Sequence, residues 1–331
     1  MAGLALFIIP LLYIRDWGCD MNYYRALIKY YVNPAYWVES WRAAIGATLS
    51  ILGAGALVVN VVSKVLVDLE DLPNDKTIFT WLLISSLIIG LFRSLPKRSI
   101  SCNILDVDIP ISVLIGDLLK EQGDYVVACN RTFDTTYNVF VSHESFQGRV
   151  QDKYYPDVGT LDRCMDVELR DYKGEDIGDG RKDSKRVQYE PGTVVKTTVH
   201  DGRNIYWVAL AHSSSGGAAS CSMNDLRRSL QGLWDYIAEK GNKTTLVMPI
   251  LGSGRSGLNE SRMAILKEIL FSFIAYSRNR KIVEELKICI YPEDILNHTV
   301  DINEIKAYLC YNCHENRISS LSDDNESSPC D

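Results

Sequence analysis

Between residues 244 and 273 the chain reads as a strand, a glycine-spaced loop and a helix, and this order limits the available folds more than any other stretch. Residues 245–248 are a short, β-branched apolar run suited to a buried strand. Gly252-Ser253-Gly254-Arg255-Ser256-Gly257 follows, then Asn259-Glu260-Ser261, then Met263, Leu266, Ile269, Leu270 and Phe273 at helical spacing. Such a loop sets bare backbone amides at a helix N-terminus, where they can cradle a phosphate. Glycine accepts positive φ there and lets a ligand approach the main chain. The loop has neither the Walker spacing nor the dinucleotide-binding fingerprint. Taken alone, it equally describes a tight strand-to-helix turn without a ligand.

The surrounding pattern alternates. Residues 101–105, 111–115 and 125–129 read as strands. The second runs into Gly116-Asp117-Leu118. The third runs into the polar loop Asn130-Arg131-Thr132-Phe133-Asp134-Thr135, at a strand end where α/β folds hold ligands. Ser142-His143-Glu144-Ser145 marks a helix start, and the charged, glycine-containing residues 151–190 read as long surface excursions. Residues 193–199 and 205–211 form a hairpin around His200-Asp201-Gly202-Arg203. Ser222-x-x-Asp225 resembles a capping box ahead of a core-facing stripe of Leu226, Leu230, Leu233, Trp234 and Ile237. A last strand, 286–290, ends in Tyr291-Pro292, and Asp301-x-x-Glu304 opens a short final helix. This alternation predicts an α/β sandwich with a mixed sheet over residues 99–310. The polar residues 311–331 read as a disordered tail.

Residues 43–63 contain no charge, and 21 residues suffice to cross a hydrocarbon core of about 30 Å. A second uncharged run, 77–92, is shorter and spans if Arg93 snorkels. A transmembrane hairpin over residues 43–95 is the expectation. The link between the runs carries Asp68, Glu70, Asp71 and Asp75, whereas Arg25, Lys29, Arg42, Arg93, Lys97 and Arg98 flank the pair. By the positive-inside rule both ends and the soluble domain are cytoplasmic and the link is external. Small residues such as Ala43, Gly46, Ala47 and Ser50 suit close helix packing, either within the hairpin or between copies of the chain. Residues 1–42 comprise a short apolar segment and a helix suited to lying on the inner leaflet.

The net charge of -7 argues against a nucleic-acid surface, and nine scattered cysteines suit reduced thiols better than a disulfide framework. Cys310-x-x-Cys313-His314 fits a haem-attachment pattern, but no second motif or axial ligand accompanies it, so no metal or cofactor is expected.

Gly116-Asp117-Leu118 after a strand, a buried strand ending in Asn130, the loop 249–258 and Ile290-Tyr291 together resemble the macro domain, a fold that binds ADP-ribose and its derivatives. Two transmembrane helices ahead of Asn130-x-x-Phe133-Asp134-Thr135, Ser145-Phe146-x-Gly148 and that glycine loop resemble, more specifically, the membrane-bound effector of type II Thoeris antiphage systems. In that family a TIR-domain partner consumes NAD and makes a histidine-conjugated ADP-ribose. The macro domain senses the conjugate, and the membrane region then compromises the cell.

The resemblance implies a macro-domain-like α/β/α sandwich behind a transmembrane hairpin, working as a homo-oligomer at the bacterial inner membrane. It implies that Asp117 accepts from the adenine amino group, that Leu118 offers its amide, and that Tyr291 stacks on the base. Gly252, Ser253, Gly254, Arg255, Ser256 and Gly257 would hold the diphosphate. Asn130, Phe133 and Asp134 would face the distal ribose or the group attached to it, and Gly148 would let the opposite loop come close. The asparagine-rich element and glycine triad of hydrolase-type macro domains are replaced by Arg131-Thr132-Phe133-Asp134, which favours binding over catalysis. The alternatives are a membrane-anchored ADP-ribosyl hydrolase or a general ADP-ribose reader.

Overall fold

The computed structural model describes residues 25–26, 28–29, 45–46, 48–57, 75–93, 98–104, 107–137, 139–178, 185–213, 218–254, 256–278, 280–297 and 300–314. The chain divides into two compact units, Met1–Arg98 and Ser99–Asp331.

In the first unit residues 48–57 are helical, and α1 spans Asp75–Arg93. Apolar side chains on both segments stand outward, among them Leu49, Leu57, Trp81, Leu87 and Ile88. Hydroxyls fold back onto their own helix: Ser50 Oγ donates to the Gly46 carbonyl (2.8 Å) and Ser86 Oγ to the Leu83 carbonyl (2.9 Å). The two segments meet at Gly55, where an added Cβ would stand 2.9 Å from Leu82 Cδ2. Among the described residues no helix is long and apolar enough to cross a membrane. Most of the linking residues between the two runs lie outside the described residues, as do residues 315–331 of the expected disordered tail and nearly all of residues 1–42; residues 311–314 of that tail are helical instead.

The second unit is built on a mixed sheet. Its strands are β1 (Ser99–Ile104), β2 (Ile109–Ile115), β3 (Asp124–Asn130), β6 (Val194–Thr198), β7 (Asn204–Ser213), β8 (Ala219–Ser220), β9 (Thr245–Pro249) and β10 (Glu285–Ile290); β4 (Glu175–Asp176) and β5 (Val187–Gln188) pair apart from it. The order is β1-β2-β10-β9-β3-β7-β6, with β8 on β7. β2, β10, β9, β3 and β7 run parallel to their neighbours, while β1 and β6 close the edges antiparallel. The expected mixed sheet and the β6–β7 hairpin are therefore present. Gly202 supplies the positive φ (+82°) that the hairpin turn needs.

Six α-helices accompany the strands among the described residues of this unit: α2 (Phe146–Tyr154), α3 (Val158–Glu168), α4 (Met223–Lys240), α5 (Arg262–Ser277), α6 (Pro292–Leu296) and α7 (Ile302–His314). One layer is α2 and α3. Their Val150, Tyr154, Leu161 and Met165 pack with Tyr125, Val127 and Cys129 of β3 and with Trp207 of β7. Alternation turns Val126, Tyr206 and Val208 to the opposite face. There α4 packs on β7 and on α5, with Trp234 edge-on to Phe273 at 5.2 Å. Ser222 caps α4 in a full capping box with Asp225.

One expectation fails here. Residues 151–190 are not simply surface excursions, because they include the last four residues of α2 and all of α3. Leu161, Met165 and Leu169 recur every fourth residue inside a charged background, which is enough to bury one face of a helix.

Candidate functional site

Strand register decides which loops can cooperate. Ile115 of β2 pairs with Ile290 of β10, Cys289 with Pro249 of β9, and Val247 with Tyr125 of β3. Four parallel strands thus deliver Asp117, Tyr291, the glycine loop and Asn130 to one edge of the sheet, that formed by the carboxyl ends of its strands, where open α/β folds bind ligands.

A cleft of about 820 Å³ opens at this edge. Its floor is Ala128, Cys129 and Asn130 at the end of β3; one wall is the glycine loop, and the other is residues 139–147 leading into α2. Burial pushes the Cys129 thiol well above its ordinary pKa, so it lines the cleft as a neutral group.

The glycine loop is held at its ends and open at its centre. Gly252 (φ +80°) and Gly257 (φ +71°) adopt backbone that favours glycine. A Cβ on Gly257 would stand 2.2 Å from the Ala219 carbonyl, whereas Gly254 has nothing within 4 Å. Ser253 turns inward: its amide and hydroxyl both donate to the Ile250 carbonyl, at 3.3 and 2.7 Å. The amides of Gly254, Ser256 and Gly257 have no acceptor among the described residues. Arg255 lies outside the described residues.

The residues expected at the distal end separate. Asn130 lines the cleft, yet its side chain is engaged with Asp134 at both ends: Nδ2 donates to the carboxylate and Oδ1 accepts from the Asp134 amide, each at 2.8 Å. Phe133 and Asp134 do not line the cleft. A positive φ at Phe133 (+52°) turns its ring into the core, fully buried and edge-on to Tyr189 at 5.8 Å. Asp134 is buried beneath the loop and accepts from Thr132 Oγ1 and the Lys185 amide. These two side chains build the turn that presents Asn130.

At the other end, Asp117 caps a one-turn helix, accepting from the Leu119 amide at 3.2 Å, and Leu118 packs its side chain into the core. Tyr291 is half-buried at the start of α6. Gly148 in α2 allows close approach of the wall before it, since a Cβ there would stand 2.1 Å from the Ser142 carbonyl.

Three participants escaped the sequence reading. Arg149 Nη2 donates to Asp117 Oδ1 at 2.8 Å. Arg262, the first residue of α5, ion-pairs with Asp294 at 2.5 Å and reaches the Ser253 carbonyl at 3.5 Å. Burial pushes the Asp294 carboxyl above its ordinary range, an effect the Arg262 guanidinium partly offsets. The third is the wall itself. Tyr137 and His143 stack with ring centroids 3.9 Å apart, and both hydrogen-bond to Asp152 of α2. Burial tends to raise the Asp152 carboxyl, but the hydrogen bonds from His143 and Tyr137 outweigh it and hold the carboxyl below its ordinary value. No group of His, Cys, Asp and Glu among the described residues is placed to hold a metal ion; within the Cys310-x-x-Cys313 pair on α7, Cys313 is buried and Cys310 exposed.

Residues 111–291 match the family described as Thoeris protein ThsA, Macro domain, and this match takes in more than half of the chain. The chain belongs to the ThsA macro-domain family. The matched segment begins within β2 and ends at Tyr291, so it contains every element that lines the cleft. Among solved structures, the macrodomain of Oceanobacillus iheyensis with ADP is similar over 68% of this chain and 97% of that one, at 13% identity and a TM-score of 0.43. The Trypanosoma brucei macrodomain in complex with ADP-ribose is similar over 57% and 67%, at 11% identity and a TM-score of 0.39. No curated protein matches the chain.

Proposed function

We propose that this ThsA-family protein is a non-enzymatic antiphage effector whose macro domain senses an ADP-ribose derivative and whose first unit acts on the bacterial inner membrane. The observation that carries the reading is the glycine loop, whose central residues are open to the cleft with amides that have no acceptor among the described residues. That arrangement suits a diphosphate. In this reading the ligand lies along the sheet edge, its distal end in the cleft toward Asn130 and the opposite wall, its diphosphate on the amides of Gly254 to Gly257, and its base beyond the cleft lining toward Asp117 and Tyr291.

The distal group we assign is histidine, as in the histidine-conjugated ADP-ribose made by a TIR-domain NADase. Glu144 supports it, being the one charged side chain among the described residues that line the cleft. A carboxylate there disfavours a bare diphosphate and favours a ligand with a cationic end. Binding without hydrolysis is supported by Asn130, which commits its amide to shaping the Asp134 turn.

Membrane action by the first unit is supported by its outward apolar side chains, its back-bonded hydroxyls and the contact between its two apolar segments at Gly55 and Leu82. In this reading residues 43–95 form a two-span hairpin with both termini and the macro domain cytoplasmic, and ligand binding favours a homo-oligomer that breaches the bilayer. The ligand achieves this by binding the active state more tightly than the resting one. Reconstitution of the full chain in dye-loaded vesicles tests the proposal. Release on adding histidine-ADP-ribose, and none with NAD, is expected. A dye-tight vesicle under saturating ligand contradicts the membrane role.

A further inference from the structure

The Asp117 carboxylate sits in an unusual position for a site that accepts a diphosphate, because an acceptor-only anion repels such a ligand as readily as it reads a base. The structure supplies the compensation. Asp117 Oδ1 accepts from the Leu119 amide at 3.2 Å and from Arg149 Nη2 at 2.8 Å. The second oxygen, Oδ2, accepts from no group among the described residues and is not sealed from solvent. Arg149 stands three residues after Phe146 on α2, and Phe146 lines the cleft, so one face of the helix runs from the cleft to Asp117. The Asp117 side chain is only 12% exposed and that of Arg149 30%, so the pair is partly withdrawn from solvent screening.

We propose that Arg149 is the residue that makes Asp117 a selective reader of a 6-aminopurine. It neutralises the carboxylate toward the diphosphate and, with the Leu119 amide, commits Oδ1, leaving Oδ2 as the acceptor turned to the base. A 6-amino group donates to that oxygen. A 6-oxo group presents another acceptor and is rejected, because it would leave two acceptors facing each other. Arg149 is a positioning residue and need not touch the ligand. This inference rests on the proposal above that the ligand's adenine lies at Asp117.

A double-mutant cycle on the full chain tests it, with ADP-ribose and its inosine counterpart as titrants. Wild type is expected to prefer ADP-ribose by at least roughly tenfold. Arg149→Met should weaken ADP-ribose binding and remove most of that preference. Arg149→Lys, which keeps the charge, should recover most of the lost affinity. In an Asp117→Asn background, Arg149→Met should change neither affinity nor preference. Thermal melts establish that each variant is folded. Should Arg149→Met keep the preference while folded, or cost as much with Asn at position 117 as with Asp, the inference is overturned and ADP-ribose binding by the wild type still stands. Wild type that binds neither purine overturns this inference and the proposed function together.

Discussion

The Arg262 guanidinium lies 2.5 Å from the Asp294 carboxylate and 3.5 Å from the Ser253 carbonyl, so one side chain at the start of α5 ties the glycine loop to the helix that follows Tyr291. A cation at a helix N-terminus opposes the helix dipole, and its acidic partner compensates. Arg262→Met removes the charge that offsets the burial of the Asp294 carboxyl. It should cost about 1–3 kcal/mol in urea unfolding at neutral pH. Asp294→Asn should cost less, because burial already disfavours its ionised form.

Two glycines of one loop should behave in opposite ways. Gly254→Glu enters open space and should change stability by no more than about 0.5 kcal/mol, while its carboxylate fills the phosphate site and abolishes nucleotide binding. Gly257→Ala meets both a φ of +71° and the Ala219 carbonyl, so it should cost about 1–3 kcal/mol. Thermal melts set beside titrations on both variants check this pair.

Phe133→Ala should destabilise by about 3–5 kcal/mol, as expected for emptying a fully buried aromatic site. Under conditions where the variant is still folded, its nucleotide affinity should lie close to that of wild type. A large, selective loss of affinity in the folded variant would place the ring at the ligand instead.

The wall beside α2 should respond to acid. Hydrogen bonds from His143 and Tyr137 hold the Asp152 carboxyl below its ordinary value. A depressed carboxylate contributes stability that is present above its unfolded pKa and is lost as pH falls through the folded one. Asp152→Asn should therefore lower stability at neutral pH by about 0.2–1 kcal/mol, in line with an exposed cluster. Melting temperatures of variant and wild type should converge below the ordinary carboxylate range.

The sheet and its loop cluster were legible because each depends on local pattern and turn chemistry: the short, unbroken apolar runs of β3 and β7, the capping box at Ser222, and the glycine spacing after β9. α3 was hidden because few apolar positions, spaced four apart, sit among many charges, and of α2 only the start at Ser145 was legible. Phe133 and Asp134 follow a strand end and so looked like ligand contacts; only the positive φ at Phe133 shows that the ring turns inward. Arg149 and Asp117 are 32 positions apart, and sequence order says nothing about which cation reaches which carboxylate until α2 is packed on β3 beside the turn that follows β2.

The most direct test of the central claim is calorimetric titration of the full-length chain with ADP-ribose and with histidine-ADP-ribose, using Gly254→Glu as control. Saturable binding is expected, tighter for the conjugate, with both ligands recovered intact and no heat from the variant. Equal affinity for the two ligands, cleavage of the conjugate, or unaltered binding by Gly254→Glu would contradict it.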